Sequence, residues 1–531
     1  MTPRSEDDLL PHAEAEFPRS ELSVSENEPP PASLTRVVTR GIGLAGLGYV
    51  FSQLLTLVAY VVLAKLADPA DFGHFAAGTV VVGVGFVLGE SGLLGALIQR
   101  RTDIEEALNS AFLATLAGGI LMTMFALATA PLIGLYFKSH EDEAVAAVMA
   151  GCMFLRITSV VPDALLQRRF SFMRRVIIDP LSTVGFAAGA IPAAASGLGV
   201  WALVIGTYAS LLVNVISAWA FVRWRPRPRQ ASVRMWRELA RFGRPVMGAN
   251  LIRHVVGELP VLALGRFSGA SVLGQFTYAA KTAAQPLGAV INAGGYVLQP
   301  AFARLSHDDE RFRSALLRSL RWLCILSFPA GLLLVPLGTP LVVLVFGPEW
   351  REAGYGAAAL GGYCAALSLD SLASEAWKSY GRPDMLPRMH GTSLVLTAVF
   401  VGAFLPFGLV GVTIGMSLSA IGVAAYAVRG MSRAIGIPLK DLVREIWPPT
   451  IAAITMAAVL FPLEHFVVHA EMHGRVLGLV LLSVEALLGL VIYLSALAAL
   501  VPQSTREFVQ AVVAMIRSRL TNRRPDQSDT L

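Results

Sequence analysis

The sequence predicts an all-α polytopic membrane protein of about 14 transmembrane helices, arranged as two parallel-repeat six-helix bundles and two C-terminal helices. Three observations predict this fold: the apolar composition, the placement of basic residues and an internal repeat. Of the 531 residues, 55% are hydrophobic and only 15% are charged, whereas a soluble protein needs more polar surface to cover its core. The apolar runs recur along the whole chain, so one large bundle is favoured over several soluble domains.

The positions of the spans follow from the thickness of the membrane. A bilayer core of about 30 Å needs about 20 mostly apolar residues per helix. The first six spans cover approximately residues 42–66, 72–99, 107–137, 143–167, 174–197 and 198–222. The next six cover approximately 245–267, 272–302, 315–346, 353–379, 384–407 and 408–432, and the last two cover 446–470 and 475–501.

These spans divide the chain into six segments. The acidic, proline-rich start has no long apolar run, so it is expected to be a disordered cytoplasmic tail rather than a signal peptide. The segments are a tail at 1–33, an N-terminal bundle at 34–222, a basic linker at 223–244, a C-terminal bundle at 245–432, two additional helices at 446–501 and an amphipathic cytoplasmic tail at 502–531.

The basic residues support this number of spans. With the N-terminus inside, 35 of the 43 lysines and arginines fall on the cytoplasmic side, as the positive-inside rule requires. Five fall in outer loops: Lys65, Lys138, Arg266, Arg351 and Arg475. An error in the number of spans would break the alternation downstream of it, so the bias predicts that both termini are cytoplasmic.

The two halves of the chain share a sequence repeat. LAKLADPADFGHF at 63–75 aligns with LGRFSGASVLGQF at 264–276, an offset of 201 residues that places Gly73 on Gly274. Six helices and a linker fit this spacing, and six is even, so both repeats have the same orientation. The repeats are then related by an axis along the membrane normal, a layout found in alternating-access transporters.

The basic linker between the halves is predicted to lie on the cytoplasmic membrane surface. Within 223–244, Val233, Trp236, Leu239 and Ala240 fall on one face of a short helix among many arginines. Such a helix binds anionic lipids through its basic side chains. A nucleic-acid partner is not expected, because no fold that presents a groove-binding element surrounds the linker.

Several motifs resemble the polysaccharide flippases of the multidrug/oligosaccharidyl-lipid/polysaccharide exporter superfamily. The stretch VLAKLADPADFGHFAAGTVVVGVGFVLGESGLLGALIQR at 62–100 resembles their first helix pair. LLQRRFSFMRR at 165–175, GLGVWALVIG at 197–206 and WKSYGRPDMLPR at 377–388 also match places where that family has similar sequence. The resemblance covers about residues 34–500.

The resemblance implies a function. Such proteins move undecaprenyl-pyrophosphate-linked oligosaccharide repeat units to the outer leaflet of the bacterial inner membrane. A separate polymerase, with a chain-length regulator, then assembles exopolysaccharide, capsule or O-antigen. The implied fold is two six-helix bundles around a central cavity, followed by two further helices.

No catalytic constellation is present in the sequence, so an enzyme is not expected. There is no Walker-type loop, no HExxH and no CxxC pair, which argues against ATP hydrolysis within this chain. No cofactor is expected, and an ion gradient or consumption of the product would drive transport. Three histidines at 465, 469 and 473 fall at the outer end of a span, where an exposed polar edge is favoured over a metal site.

Polar residues inside the spans are the candidate binding residues. A charge at mid-membrane costs about 2.5–3.5 kcal/mol and usually faces a cavity or a partner. Arg253 and Lys281 could bind a pyrophosphate; alternatively, Arg253 pairs with Glu258 as a structural bridge. The candidate lining residues of the seventh and eighth spans are Asn250, Arg253, His254, Glu258, Lys281, Gln285 and Asn292.

Other charged residues in spans are candidates for substrate contact, coupling or gating. Arg156 and Asp163 are seven residues apart and share one helix face. They and the pair Asp370 and Glu375 could bind sugar or gate the cavity, and packing ion pairs explain them equally well. Glu90 could bind a coupling proton or cation, although a superficial position near the cytoplasmic mouth is favoured.

Three functions compete at this point. A lipid-linked oligosaccharide flippase fits the paired halves and the basic stripe. A multidrug cation antiporter of the same superfamily would need cavity carboxylates, whereas the deepest charges include Arg253 and Lys281. A glycan polymerase or glycosyltransferase would need a large outer loop or an acidic catalytic motif, and the outer loops are short.

Overall fold

A computed structural model of the chain describes residues 51–90, 97, 100, 102–168, 177–222, 224–502 and 510. Within these residues the regular structure is entirely helical. The predicted tail at 1–33 lies outside the described residues, as does the tail at 502–531 apart from residues 502 and 510.

The N-terminal half contains seven described helices, two of which form the fourth span. Ser139 caps the start of α4, where its side chain accepts a hydrogen bond from the backbone N–H of Asp142 at 3.2 Å. The helices are α1 (Phe51–Leu63), α2 (Pro69–Glu90), α3 (Ile104–Phe137), α4 (His140–Thr158), α5 (Val160–Arg168), α6 (Asp179–Ala195) and α7 (Val200–Phe221).

The C-terminal half and the additional pair follow in the same way. The half comprises α8 (Val233–Phe267), α9 (Ala270–Leu305), α10 (Asp309–Leu332), α11 (Leu334–Phe346), α12 (Arg351–Ala359), α13 (Gly361–Ser379), α14 (Met385–Phe404) and α15 (Gly408–Ile435). The additional helices are α16 (Leu439–Leu463), which continues into a π-helical turn at Glu464–Val468, and α17 (Arg475–Leu500).

The helices confirm the predicted fold class. By length and composition, eight helical stretches of the described residues could cross a membrane, and two shorter apolar helices lie at Phe51–Leu63 and Leu334–Phe346. Within the described residues, each of the fourteen predicted spans overlaps one helix or two consecutive helices. The ninth span, for example, is α10 and α11, which meet at Leu333.

The basic linker differs from the separate surface helix that the sequence predicts. Residues 233–244 are the first turns of α8, which runs without interruption to Phe267. Met235 and Leu239 are buried in a core cluster, whereas Val233 and Trp236 are exposed. The predicted apolar face is therefore split, because Leu239 packs against the protein while the two other side chains face outward.

The two halves meet at the ends where α2 and α9 begin. A Cβ atom on Gly73 would lie 1.8 Å from the carbonyl oxygen of Ala270, and one on Gly274 would lie 1.7 Å from that of Pro69. Pro69 and Ala270 are themselves related by the 201-residue offset, so each repeat makes the same contact with the other. This reciprocity is what a two-fold relation between the halves produces. We call this end of the bundle the 69/270 end.

Aromatic side chains surround this contact and join the halves. Trp350 Nε1 donates a hydrogen bond to the carbonyl oxygen of Ala64 at 3.1 Å, and the Tyr278 hydroxyl donates to that of Tyr60 at 3.0 Å. The Tyr278 ring lies 3.9 Å from that of Trp350 and 4.8 Å from that of Phe72, measured between centroids. The 69/270 end is therefore closed by packed rings and by hydrogen bonds between the two halves.

Candidate functional site

One cavity lies within the C-terminal half. Its volume is about 770 Å³, and its walls come from α8, α13, α14 and α15. It extends to Pro383 in the turn between α13 and α14, at the end of the bundle opposite the 69/270 end. We call it the C-half cavity. The resemblance implied a central cavity between two bundles, whereas the described residues place this one inside a single half.

The polar lining of the C-half cavity combines hydroxyl, amide, carboxylate and basic groups. Thr397 and Ser419 share a hydrogen bond of 2.8 Å between their hydroxyl oxygens. Such a mixture suits a ligand that carries both hydroxyl groups and negative charge. The polar lining residues are Asn250, Arg253, Tyr363, Asp370, Ser371, Ser374, Glu375, Lys378, His390, Ser393, Thr397 and Ser419.

Arg253 projects into the C-half cavity from the middle of α8. Its side chain is exposed to that space, and Nη2 donates a hydrogen bond to Asn250 Oδ1 at 3.4 Å. The predicted alternative, a bridge from Arg253 to Glu258, is not what the structure shows. Glu258 Oε1 instead lies 3.6 Å from His254 Nε2. The guanidinium therefore keeps most of its five donors available to a ligand.

The carboxylates of α13 also face the C-half cavity. Glu375 Oε1 accepts a hydrogen bond from Lys378 Nζ at 2.9 Å. Asp370 Oδ1 and Glu375 Oε2 are buried and have no hydrogen-bond donor within the described part of the chain. Arg253 and Lys378 act electrostatically on Asp370 across the cavity. The structure thus brings Arg253, Asp370 and Glu375 together, as candidates for one site.

Lys281 lies in a different place from Arg253. It lines a cavity of about 210 Å³ between α1 and α9, together with Gln285 and Tyr60. Its Nζ is 3.6 Å from the centroid of the Tyr60 ring, a cation–π contact. Gln285 Oε1 accepts a hydrogen bond from Gln53 Nε2 at 3.1 Å. Lys281 and Gln285 therefore contact the other half of the chain, and the described cavities do not place them beside Arg253.

His254 and Glu258 lie on α8 beside α2. A Cβ atom on Gly83 would lie 2.5 Å from His254 Cε1, so the imidazole fills the space that this glycine leaves. Neither residue is among those that line the C-half cavity. The predicted polar stripe of α8 is therefore divided, with Asn250 and Arg253 toward the cavity and His254 toward the N-terminal half.

Arg156 and Asp163 form an ion pair in the N-terminal half. Arg156 Nη1 lies 3.6 Å from Asp163 Oδ2 and donates a hydrogen bond to Asn214 Oδ1 at 3.3 Å. Asp163 is 3% exposed. This position favours the packing role over the substrate-binding role, because the pair joins α4 and α5 to α7.

The Arg156 pair gives a stability prediction. Replacing Arg156 with alanine should destabilise the protein by roughly 3–5 kcal/mol, because the buried carboxylate of Asp163 would lose the guanidinium of Arg156. Adding Asp163→Asn should recover much of this loss. Thermal unfolding of the purified protein measures both effects, with Arg429→Ala on the exposed side of α15 as the control. Normal stability together with lost transport would instead support a substrate contact.

For two predicted site residues the structure gives no side-chain position. The side chains of Glu90 and Asn292 lie outside the described part of the structure. Their proposed roles, in coupling and in cavity lining, stay predictions.

The sequence reasoning missed the contribution of α14 to the C-half cavity. His390, Ser393 and Thr397 follow each other at steps of three and four residues, which places them on one helix face. That spacing was a usable signal within the predicted span at 384–407. Not every polar residue of these helices lines the cavity. Ser368 of α13 is fully buried and accepts a hydrogen bond from Ser327 at 2.8 Å, so it contributes to packing.

The sequence relatives are proteins of polysaccharide biosynthesis. The succinoglycan biosynthesis transport protein ExoT of Rhizobium meliloti (strain 1021) is 28% identical over 61% of this chain and 65% of its own length. The lipopolysaccharide biosynthesis protein WzxC of Escherichia coli (strain K12) is 27% identical over 56% of this chain and 61% of its own length. The matched region thus spans somewhat less than two thirds of each of these relatives.

Solved structures show the same fold at low identity. A lipid II flippase, MurJ, in an inward closed conformation aligns with a TM-score of 0.71 at 15% identity, over 88% of this chain and 99% of its own. A MATE protein in its straight conformation aligns with a TM-score of 0.52 at 16% identity, over 76% of this chain and 96% of its own. The chain therefore shares the helical fold of these two proteins.

A family profile provides the assignment. The profile described as polysaccharide biosynthesis protein matches residues 62–354, which is more than half of the chain and includes α2 and α9, with their reciprocal contact. The chain belongs to the polysaccharide biosynthesis protein family.

Proposed function

We propose that the protein is a flippase that carries undecaprenyl-pyrophosphate-linked oligosaccharide repeat units to the outer leaflet of a bacterial inner membrane. The observation that carries this proposal is the C-half cavity. It has a volume of about 770 Å³, and Arg253 lines it together with hydroxyl and carboxylate groups. Ligand pockets commonly measure about 300–1,000 Å³. The cavity therefore suits a sugar-pyrophosphate head group, while the lipid chain stays in the bilayer.

The two kinds of polar group in the cavity match the two parts of such a head group. The Arg253 guanidinium can hold a pyrophosphate through two parallel hydrogen bonds. Asp370, Ser371 and Glu375 can accept or share hydrogen bonds with sugar hydroxyls. Lys378 adds a second positive charge near the mouth of the cavity.

Alternating access follows if the charge-based topology is right. Both termini would then be cytoplasmic, the 69/270 end would face outward and the turn at 380–384 would face the cytoplasm. The C-half cavity would load from the cytoplasm while the halves meet at their outer ends. Separating Gly73 from Ala270 and Gly274 from Pro69 would open the outer side, driven by an ion gradient or by consumption of the product.

The proposed partners follow from the same scheme. A polysaccharide polymerase and a chain-length regulator would use the translocated units. Anionic lipids would bind the start of α8, where Val233 and Trp236 are exposed beside the exposed side chains of Arg234 and Arg237. Aromatic and basic side chains together favour the interface of an anionic membrane.

Deletion of the gene tests the proposal. A strain without the protein should lose its surface polysaccharide and accumulate the lipid-linked oligosaccharide inside the cell. Mass spectrometry of the extracted lipid would identify the substrate, and complementation with the full chain should restore export. Normal surface polysaccharide in the deletion strain, with no accumulated intermediate, would refute the flippase proposal.

A multidrug cation antiporter is the second candidate, and one observation favours it. Asp370 presents a buried carboxylate oxygen without a hydrogen-bond donor in the described part of the chain, and cationic drugs need such groups. The positive charge of Arg253, which lines the same cavity, would repel a cationic drug. Overexpression should leave resistance to cationic drugs unchanged if the flippase proposal is right, whereas an increase would favour the antiporter.

A further inference from the structure

Two glutamates are buried in the additional helices, outside the cavities described above. Glu464 begins the π-helical turn that ends α16, and Glu485 lies in the first half of α17. Each is 3% exposed. Carboxylates are rarely this buried without a partner, because the charged form loses its hydration.

The hydrogen-bond partners of the two carboxyl groups are incomplete. The backbone N–H of Ala470 donates to Glu464 Oε1 at 2.9 Å. Glu464 Oε2 and both carboxyl oxygens of Glu485 have no donor among the described residues. Glu464 acts electrostatically on Glu485, and α16 and α17 are in contact one turn from both residues, where a Cβ atom on Gly489 would lie 2.6 Å from Leu460 Cδ1. Two acceptor-only groups cannot form a hydrogen bond unless a proton lies between them.

The surrounding elements supply no compensating charge within the described residues. The glutamates lie beside a cluster that includes Leu344 of α11 and Leu482 of α17, and α11 contains no titratable residue. The basic and acidic groups of residues 465–475, apart from the half-buried His469, have other partners or are exposed. His465 contacts the carbonyl oxygen of Phe461, His473 that of His469, and Glu471 accepts from Arg351 at 2.8 Å, while Arg475 is exposed.

We propose that Glu464 and Glu485 form a proton-binding site in which one proton is shared between Glu464 Oε2 and a Glu485 oxygen. A sharing pair carries one negative charge instead of two, which lowers the cost of burial. A metal ion fits less well, because Ca²⁺ and Mg²⁺ take six or more oxygen ligands and the other described contact is an N–H donor. The bound proton would hold the end of α16 against α17 and, through Leu344 and Leu482, against α11.

The pH dependence of stability tests this site without any transport assay. Loss of the shared proton at high pH leaves two like charges in contact, so the wild-type protein in nanodiscs should lose thermal stability from about pH 5 to about pH 9. Glu485→Gln should remove most of this dependence, because the neutral amide can donate to Glu464 at every pH. Glu352→Gln, on an exposed side chain of α12, should respond to pH like the wild type.

Infrared spectroscopy supplies the second measurement. At neutral pH the wild-type protein should show a protonated carboxylic C=O band that Glu485→Gln and Glu464→Gln each remove and Glu352→Gln keeps. A wild type with no such band, or with pH-independent stability, would overturn the proposal. Recovery of stability at high pH by added Na⁺ would also overturn it in favour of a cation site. Neither readout measures flipping. Failure of the proton-site proposal would therefore leave the flippase proposal unaffected, and failure of the flippase proposal would leave the proton site unaffected.

Discussion

Replacing Arg253 with alanine is expected to reduce surface polysaccharide to the level of the deletion strain, with a normal amount of protein in the membrane. Hydrogen bonds to charged groups contribute about 1.5–3 kcal/mol each, so losing a bidentate contact to pyrophosphate should cost roughly 100-fold or more in affinity. Protein stability should change little, because the Arg253 side chain is exposed to the cavity and its one described hydrogen bond, to Asn250, is long at 3.4 Å. Surface polysaccharide per unit of membrane-inserted protein measures the effect.

Two further variants separate recognition of the pyrophosphate from a general effect of charge. Arg253→Lys keeps the charge but loses the planar fork, so export should be intermediate. Arg433→Ala removes an exposed arginine from α15 and should leave export unchanged. Full export by Arg253→Ala would refute the binding role of Arg253, while an equal loss in the Arg433→Ala control would point to a membrane-topology effect.

The fold could be predicted because its main determinants are local in sequence. Apolar runs set the helices, and the repeat at 63–75 and 264–276 sets the two halves, while the orientation predicted from the basic residues stays a prediction. The structure begins α2 at Pro69 and α9 at Ala270, which is the predicted offset. The prediction of a separate surface helix in the linker was wrong. The helix α8 extends back to Val233, although the sequence changes from basic to apolar near residue 245.

The site was harder to predict because it depends on which helix faces meet. The partner of Lys281 is Tyr60, more than two hundred residues away, and nothing in either local sequence indicates that contact. Arg253 could be identified by its position in a span, but not its grouping with Asp370 of α13. A polar residue within a predicted span therefore indicated a cavity or a polar partner, but the sequence did not indicate which cavity or which partner.

The second large effect is expected at the 69/270 end. Gly73→Ala should strongly reduce export, because the new Cβ would lie 1.8 Å from the carbonyl oxygen of Ala270. Backbone atoms cannot rotate away from such a clash as a side chain can, so α2 and α9 must separate. Gly274→Ala should act in the same way through Pro69. The double variant should add little to either single one, since both disturb one contact.

The same contact predicts a change in accessibility. Phe72 is 2% exposed beside the contact, and the three native cysteines are buried. A cysteine at Phe72 should react with a membrane-impermeant thiol reagent faster when Gly73→Ala is also present, because the closed end is then held apart. Gly118→Ala and Gly402→Ala are matched controls, since a Cβ at either glycine meets no atom within 4 Å. Unchanged export and labelling in Gly73→Ala would show that the halves need not meet there for transport. Faster labelling with lost export would place that contact within the transport cycle.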